Sequence, residues 1–554
     1  MPVLGPLSES AHVDTFTRDR LPQADQWPQF RFDLAELDYP DRLNCAQRLL
    51  DDTIDRFGPD RRCLVTATAE WSYGELRDNA DRVAALLSGP LGLQPGNRVL
   101  LRAPNNPWLV AIWLGVLKAG GVVVLTMPLL RAGELVTTIE LTRPQLAVCD
   151  HRFLAELESA RSSAQPNLRV LSFGGDDPND LVARARTEDA SLEPVQTAAD
   201  DVALLALTSG TTGRPKVTMH FHRDVLAIAD TFSRHVLRPD QSDLFTTTAP
   251  FAFTFGLGAG LVFPLHAGAA TVLLERATPE ELADVVAKHG VTVLFTAPTA
   301  YKAMVGAGRA EQLRGLRRAV SAGEHLPATT WQAFFDATGV RIIDGIGSTE
   351  MLHIFIASAD DDIRPGSTGR AVPGYEATVL DEHGREAPPG QEGRLAVRGP
   401  TGCRYLADER QKVYVQNGWN VTGDTYLRDE RGYFWYRARS DDMIVSSGYN
   451  IAGPEVEQAL LGHPDVVECA VVGVEDPDRG QVVKAYVVLR DGAAADDAAR
   501  RDLQNHVKAT IAPYKYPRQL EFREALPKTQ TGKLQRYKLR QESAQLSGGT
   551  APGR

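Results

Sequence analysis

The sequence predicts an α/β protein: a large N-terminal domain of stacked, helix-covered sheets with a small β-rich subdomain, then a small α+β C-terminal domain. Three observations carry this. From about residue 98 to 345, apolar runs of strand length alternate with helical patterns. From about 376 the runs shorten and are joined by Gly, Pro and Asp turns. After Asp441 a compact helix-and-strand unit of about 110 residues follows. Continuous apolar strands separated by helices read as parallel sheets covered on both faces.

The elements follow in order. Residues 1–45 are irregular, with Trp27, Phe30 and Phe32 as anchors. The run 98–102 leads to Asn106-Pro107, a cap and first-turn pair that opens a helix. Apolar strands then fall at 122–126, 145–149, 168–173, 202–208, 270–274 and 291–295. EATVLD, GRLAVR and YFWYR form the β-rich subdomain. The C-terminal unit has a helix at 454–461, two strands (VVECAVVGV and VVKAYVVL), a helix near 496–510 and a Pro/Lys/Gly loop at 527–533. The tail SAQLSGGTAPGR has a disordered composition. The expected division is 1–440 and 441–554.

Composition narrows the function. A chain of 554 residues exceeds one core. Its 60 Lys and Arg against 71 Asp and Glu give a net charge of −11, which argues against general nucleic-acid binding but leaves room for a local polyphosphate site. Cys45, Cys63, Cys149, Cys403 and Cys469 are scattered and never spaced as CxxC, as expected of reduced thiols in a cytoplasmic protein. The N-terminus lacks a signal pattern, and no long apolar stretch could span a membrane.

The strongest local signal is the segment Thr208, Ser209, Gly210, Thr211, Thr212, Gly213, Arg214, Pro215, Lys216, directly after an apolar strand. Small hydroxyl residues and glycines let the backbone curl around an anion and turn its N–H and O–H groups into phosphate donors. It is not a Walker A loop: Pro215 would spoil the helix start that such a loop needs. The pair His220 and His222 finds no third ligand and reads as structural rather than metal-binding.

With this segment, further motifs occur in the order of the acyl-adenylate-forming superfamily, which includes acyl-CoA synthetases, firefly luciferases and peptide-synthetase adenylation domains. They are Ser321-Ala322-Gly323-Glu324, then Asp344-Gly345-Ile346-Gly347-Ser348-Thr349-Glu350, Trp419 to Asp424, Arg439 to Ile444, and Pro527 to Lys533. The chain resembles this superfamily over nearly its whole length.

The resemblance implies roles. The 208–216 loop and Ala322–Glu324 would bind ATP, with Asp344 on the adenine amino group. Ile346 stands where the family usually has an aromatic residue. Glu350 would hold Mg²⁺, and Thr349 would donate to the α-phosphate. Asp424 would accept the ribose hydroxyls, and Arg439 would bridge ribose and phosphate. Lys533 would bridge the substrate carboxylate and the α-phosphate. Asp441 would be the hinge of a mobile C-terminal domain, and Ser447, Gly448 and Tyr449 would line the passage for CoA. A homodimer is compatible with this reading.

Around the expected acid pocket the sequence resembles benzoate-CoA and 2-aminobenzoate-CoA ligases. That match puts Thr254, Phe255, Gly347, His353 and Ile354 on the substrate ring. The implied activity is ATP-dependent conversion of a small aromatic acid to its CoA thioester through aryl-AMP. 2-Aminobenzoate is the first expectation, followed by benzoate or salicylate. The competing readings are an adenylating enzyme that loads a separate carrier-protein thiol, and a non-catalytic nucleotide-binding homologue.

Overall fold

The structure, a computed structural model, describes residues 7–208, 215–439, 443–446, 449–476, 480–511, 513–528 and 534–547. Among the described residues the strands form four sheets. A six-stranded sheet runs in the order 169–173, 146–150, 98–102, 122–126, 202–208, 216–221. A nine-stranded sheet has its parallel centre at 342–347, 318–321, 293–296, 244–247, 270–272 and 62–65. Strands such as Val122–Thr126 and Leu146–Asp150 are buried almost throughout, which is why they read as unbroken apolar runs.

The sheets are not wholly parallel. Lys216–Phe221, Glu70–Ser72, Ile354–Ala357 and Arg370–Ala371 are antiparallel and lie at or next to sheet edges. The apolar runs expected to be parallel are parallel, and these antiparallel strands are additions to them. A short connection permits a hairpin, and the seven residues between Thr208 and Lys216 are too few for a helical crossover.

Helix Pro107–Lys118 begins as expected: the Asn106 side chain accepts from the Leu109 amide at 2.9 Å. It is buried from Leu109 to Lys118 and packs on helix Tyr73–Ser88. Its buried Lys118 ends on Asp51 (2.8 Å) and Asp81 (2.6 Å), so the charge is paired inside the core.

The β-rich subdomain is an antiparallel sheet of Glu376–Leu380, Glu392–Arg398, Trp419–Arg428, Val415–Gln416 and Phe434–Arg439. The C-terminal sheet pairs Tyr449–Ala452, Met443–Ser446, Gly480–Leu489, Val466–Asp476 and Gln519–Phe522. Helices Gly453–Leu461 and Asp497–Thr510 supply Val456, Leu460, Leu503 and Val507 to one of its cores. Helix Arg536–Ser547 supplies Leu539 to another.

That last helix corrects the expectation for the tail, since it extends through Ser547. Leu539 is fully buried, and Ser543 Oγ shares a 2.5 Å hydrogen bond with Tyr486. Packing against the sheet outweighs the polar local composition. The remainder, 548–554, lies outside the described residues.

Candidate active site

The site is built where the two large sheets and the β-rich subdomain meet. Thr208 ends one strand and lies opposite Lys216 on its antiparallel neighbour. Ser209, Gly210, Thr211, Thr212 and Gly213 lie outside the described residues, so only their stems are seen. Lys216 Nζ is 2.5 Å from the Tyr405 hydroxyl and 3.4 Å from Glu350 Oε1. Tyr405 in turn donates to the same Glu350 oxygen at 2.5 Å. Glu350 is only 6% exposed, so this carboxylate is a buried charge with two named partners.

Thr349 and Ser348 are fixed from two other directions. His220 Nε2 donates to the Thr349 carbonyl at 2.9 Å. Its other nitrogen is buried without a partner among the described residues, 3.9 Å from Asp224. Asp224 is paired with the fully buried Arg404 at 2.7 Å. Ser348 Oγ lies 3.2 Å from the Tyr414 hydroxyl and accepts from the Met351 amide. His222 Nδ1 accepts from the Cys45 amide at 3.2 Å. Both histidines are thus engaged in structural bonds.

Asp344 and Asp424 are brought close to this cluster. Asp344 lies beside Ser321 in the parallel register, next to the Ala322–Glu324 turn, in which Gly323 has φ +89°. Asp344 Oδ1 is buried without a partner among the described residues, in a small cavity also lined by Trp331, Ser358 and Thr368. Burial raises this carboxyl well above the ordinary carboxylate range, opposed by the Gly345 amide. Asp424 sits opposite Arg439 across paired strands. Burial, then the charge of Asp424, raises the Tyr426 phenol. His325 stacks on Tyr436 at 5.2 Å.

The aryl-pocket residues converge as an aromatic cage. Phe255 stacks on His353 at 5.9 Å, and Phe232, Phe263 and Phe295 surround the imidazole at 5.4, 4.6 and 6.4 Å. Both His353 nitrogens are buried without a hydrogen-bond partner among the described residues. The ring is held neutral, its pKa lowered to about 3 by burial; the Phe255 backbone opposes this without reaching hydrogen-bond geometry. Two glycines make the close packing possible. A Cβ on Gly258 would lie 2.4 Å from His353 Cδ2, and one on Gly347 would lie 2.6 Å from the His353 carbonyl oxygen. Ile354 packs on Gly345. Thr254 opens the short helix Thr254–Leu257 beside Phe255 and is partly buried.

Several expected residues are not placed. Asp441, Ser447, Gly448 and Lys533 lie outside the described residues. The strand containing Arg439 and the one containing Tyr449 are described in their backbones. Conversely, the sequence reading missed Tyr405, Tyr414 and the contact of His220 with Thr349. The alternation in Lys216–Phe221, which puts 216, 218 and 220 on one face, was the available signal for His220.

These histidines make stability depend on pH. His220, His222 and His353 have pKa values lowered to about 4, 3 and 3 from 6.5, with burial the largest cause each time. A depressed folded pKa gives stability that is complete above 6.5 and is lost as pH falls toward the folded values. At pH 5 the loss is on the order of 2 kcal/mol for each ring. Urea unfolding should therefore show a clear drop in stability between pH 7 and 5. A flat profile over that range would mean that the rings are not buried as neutral groups.

Comparison with known proteins gives a consistent picture. Residues 50–405 match the family model described as AMP-binding enzyme, and residues 455–533 match the AMP-binding enzyme C-terminal domain. Benzoate–CoA ligase of Thauera aromatica is 36% identical over 90% of this chain and 96% of its own length. The crystal structure of an anthranilate CoA ligase in complex with anthranoyl-AMP superposes with TM-score 0.87 at 34% identity, covering 93% of this chain and 100% of that one. A benzoate CoA ligase from Burkholderia xenovorans gives TM-score 0.82 at 32% identity, over 90% and 100%.

Proposed function

The chain belongs to the AMP-binding enzyme family, and from that premise we propose that it is an aryl-CoA ligase, with 2-aminobenzoate its first substrate and benzoate or salicylate next. The observation that carries this is the cage of Phe255, Phe263 and Phe295 around an unpartnered, neutral His353. Flat apolar walls suit an aromatic ring, and an unsatisfied buried nitrogen calls for a polar group on the ligand. The names of the two CoA ligases of known structure support the same class.

The reaction has two steps. A carboxylate oxygen attacks the α-phosphorus of ATP, pyrophosphate leaves and aryl-AMP forms. The CoA thiol then attacks the carbonyl carbon and AMP leaves. Bringing two anions together requires fixed donors and positive charge. In this reading Thr208, Lys216 and the loop between them hold the phosphates, and Thr349 donates to the α-phosphate. Asp424 holds the ribose, Asp344 accepts from the adenine amino group, and Lys533 bridges the two reacting anions.

The residues present fit Mg²⁺. The ion keeps most of its shell as water and phosphate and needs only one or two protein carboxylates. Glu350 is such a carboxylate: both its bonds fall on Oε1, so Oε2 accepts none from the described residues. Held there, Mg²⁺ would neutralise charge on the phosphates.

The test is a panel of carboxylic acids scored by pyrophosphate release and by the mass of the CoA thioester. Pyrophosphate release without thioester would favour a carrier-protein acceptor instead. The choice of ring substituent has its own test. Thr254→Ala should lower the preference for 2-aminobenzoate over benzoate by about 1 kcal/mol, the worth of one neutral hydrogen bond. An unchanged ratio of kcat/KM values would remove Thr254 from substituent recognition.

A further inference from the structure

Tyr405 has no part in the roles given so far, yet its hydroxyl lies at the centre of the phosphate end of the site. It accepts from Lys216 Nζ and donates to Glu350 Oε1, each at 2.5 Å. The side chain is fully buried.

The main chain around it is equally constrained. The Met219 amide donates to the Arg404 carbonyl at 2.8 Å, and the Leu406 amide donates to the Val217 carbonyl at 2.9 Å. Tyr405 is thereby laced to the strand that carries Lys216, with a bridge to Thr218. Its own amide donates to Gln411 Oε1 at 2.9 Å, and Gln411 Nε2 returns a bond to the Cys403 carbonyl at 3.1 Å. Tyr414 packs edge-on against the ring at 5.8 Å. Such bracing fixes a hydroxyl in space rather than filling a void.

What that hydroxyl does follows from its neighbours. Lys216 is already paired with Glu350, but through Oε1 and at a long 3.4 Å, its closer partner being the Tyr405 hydroxyl at 2.5 Å. A lysine fully paired with this carboxylate would compete with a cation for it. The hydroxyl gives Lys216 a second acceptor and occupies Glu350 on Oε1 alone. We propose that Tyr405 is a positioning residue for the metal–nucleotide complex: it sets the orientation of Glu350 so that Oε2 faces the cation, and holds Lys216 off that oxygen. The inference rests on the reading of Glu350 as the metal carboxylate.

The test is binding of Mn²⁺ with a non-reacting α,β-methylene analogue of ATP, read by water-proton relaxation and compared with binding of the metal-free analogue. Tyr405→Phe should weaken the Mn²⁺ complex about tenfold or more, the usual scale for losing a group that orients a metal ligand. The metal-free analogue should be bound within about twofold of wild type, on the same argument. In turnover, the Mg²⁺ concentration for half-activation should rise while kcat at saturating Mg²⁺ changes much less. Tyr73→Phe removes a fully buried hydroxyl that bonds the Pro264 and Ala269 carbonyls instead, and should leave Mn²⁺ affinity unchanged. If Tyr405→Phe lowers the melting temperature but leaves the Mn²⁺ affinity intact, the hydroxyl is merely structural and the proposal falls. Tyr405→Met carries the same expectation and replaces the phenylalanine variant should that fail to fold. Glu350→Gln separates the two layers. If it too leaves Mn²⁺ binding unchanged, the Glu350 reading fails; if it weakens binding and Tyr405→Phe does not, only the Tyr405 inference fails.

Discussion

2-Aminobenzoate or benzoate will be turned over with kcat/KM at least about 10²-fold above octanoate, because a site walled by aromatic rings favours a flat ring over a long flexible chain. The geometry gives the reason. Phe255 forms one wall on His353, and behind the imidazole stand Phe232 and Phe263. The cage is sealed at van der Waals distance on the side of Gly258, where even a methyl group would collide with His353. An aryl ring is flat and rigid, and buries both faces with little loss of freedom. An octanoyl chain would have to displace a buried aromatic side chain or remain outside with its carboxylate misplaced. Steady-state kinetics on purified protein, with pyrophosphate and thioester measured together, decides the matter. Octanoate turned over as well as the aryl acids would end the aryl assignment.

How far the sequence carried the reading depends on where each signal resides. Val122–Thr126 and Leu146–Asp150 were legible because strands buried on both faces are apolar without interruption. The antiparallel pairing of Lys216–Phe221 was not, since alternation marks a strand but not the neighbour it turns back onto. The helix through Ser547 was hidden for a different reason. Its residues are mostly polar, and what holds it is Leu539 and Ser543 against Tyr486, some 55 residues earlier. In the site, motif residues could be found one by one, because each motif is contiguous in the chain. Tyr405 could not: its partners Glu350 and Lys216 are 55 and 189 positions away, and no local pattern marks a lone tyrosine as their bridge. Contacts of that range are created by the fold and have no trace in composition or periodicity.

Lys533→Ala will slow formation of aryl-AMP by about 10²-fold or more, the scale of one lost charge contact in a transition state. Thioester formation from pre-made aryl-AMP and CoA will fall by less than about tenfold. The two steps make opposite demands on one carbonyl. In the first, negative charge builds between carboxylate and α-phosphate, and a cation fixed between them lowers the barrier. In the second, a thiol must reach the carbonyl carbon, and the same cation would crowd its approach. Moving the cation on a separate domain resolves the conflict, as lids do elsewhere. Lys533 lies outside the described residues, but the feet of its loop are anchored on the C-terminal unit. Lys528 pairs with Glu468 at 2.7 Å, and Arg536 holds Glu457 through bonds of 2.7, 2.8 and 3.2 Å. The lysine would thus travel with that unit. Asp441 falls between Phe434–Arg439, which belongs to the β-rich subdomain, and Met443–Ser446, which belongs to the C-terminal sheet. A pivot there would turn one sheet against the other. Asp441→Pro, which fixes φ at the pivot, should therefore show the reverse pattern, with adenylation retained and thioester formation stalled. Single-turnover kinetics of each half-reaction in both variants is the decisive measurement. If Lys533→Ala damages both steps equally, alternation between two domain poses does not operate in this protein, and the lysine is a general nucleotide-binding residue.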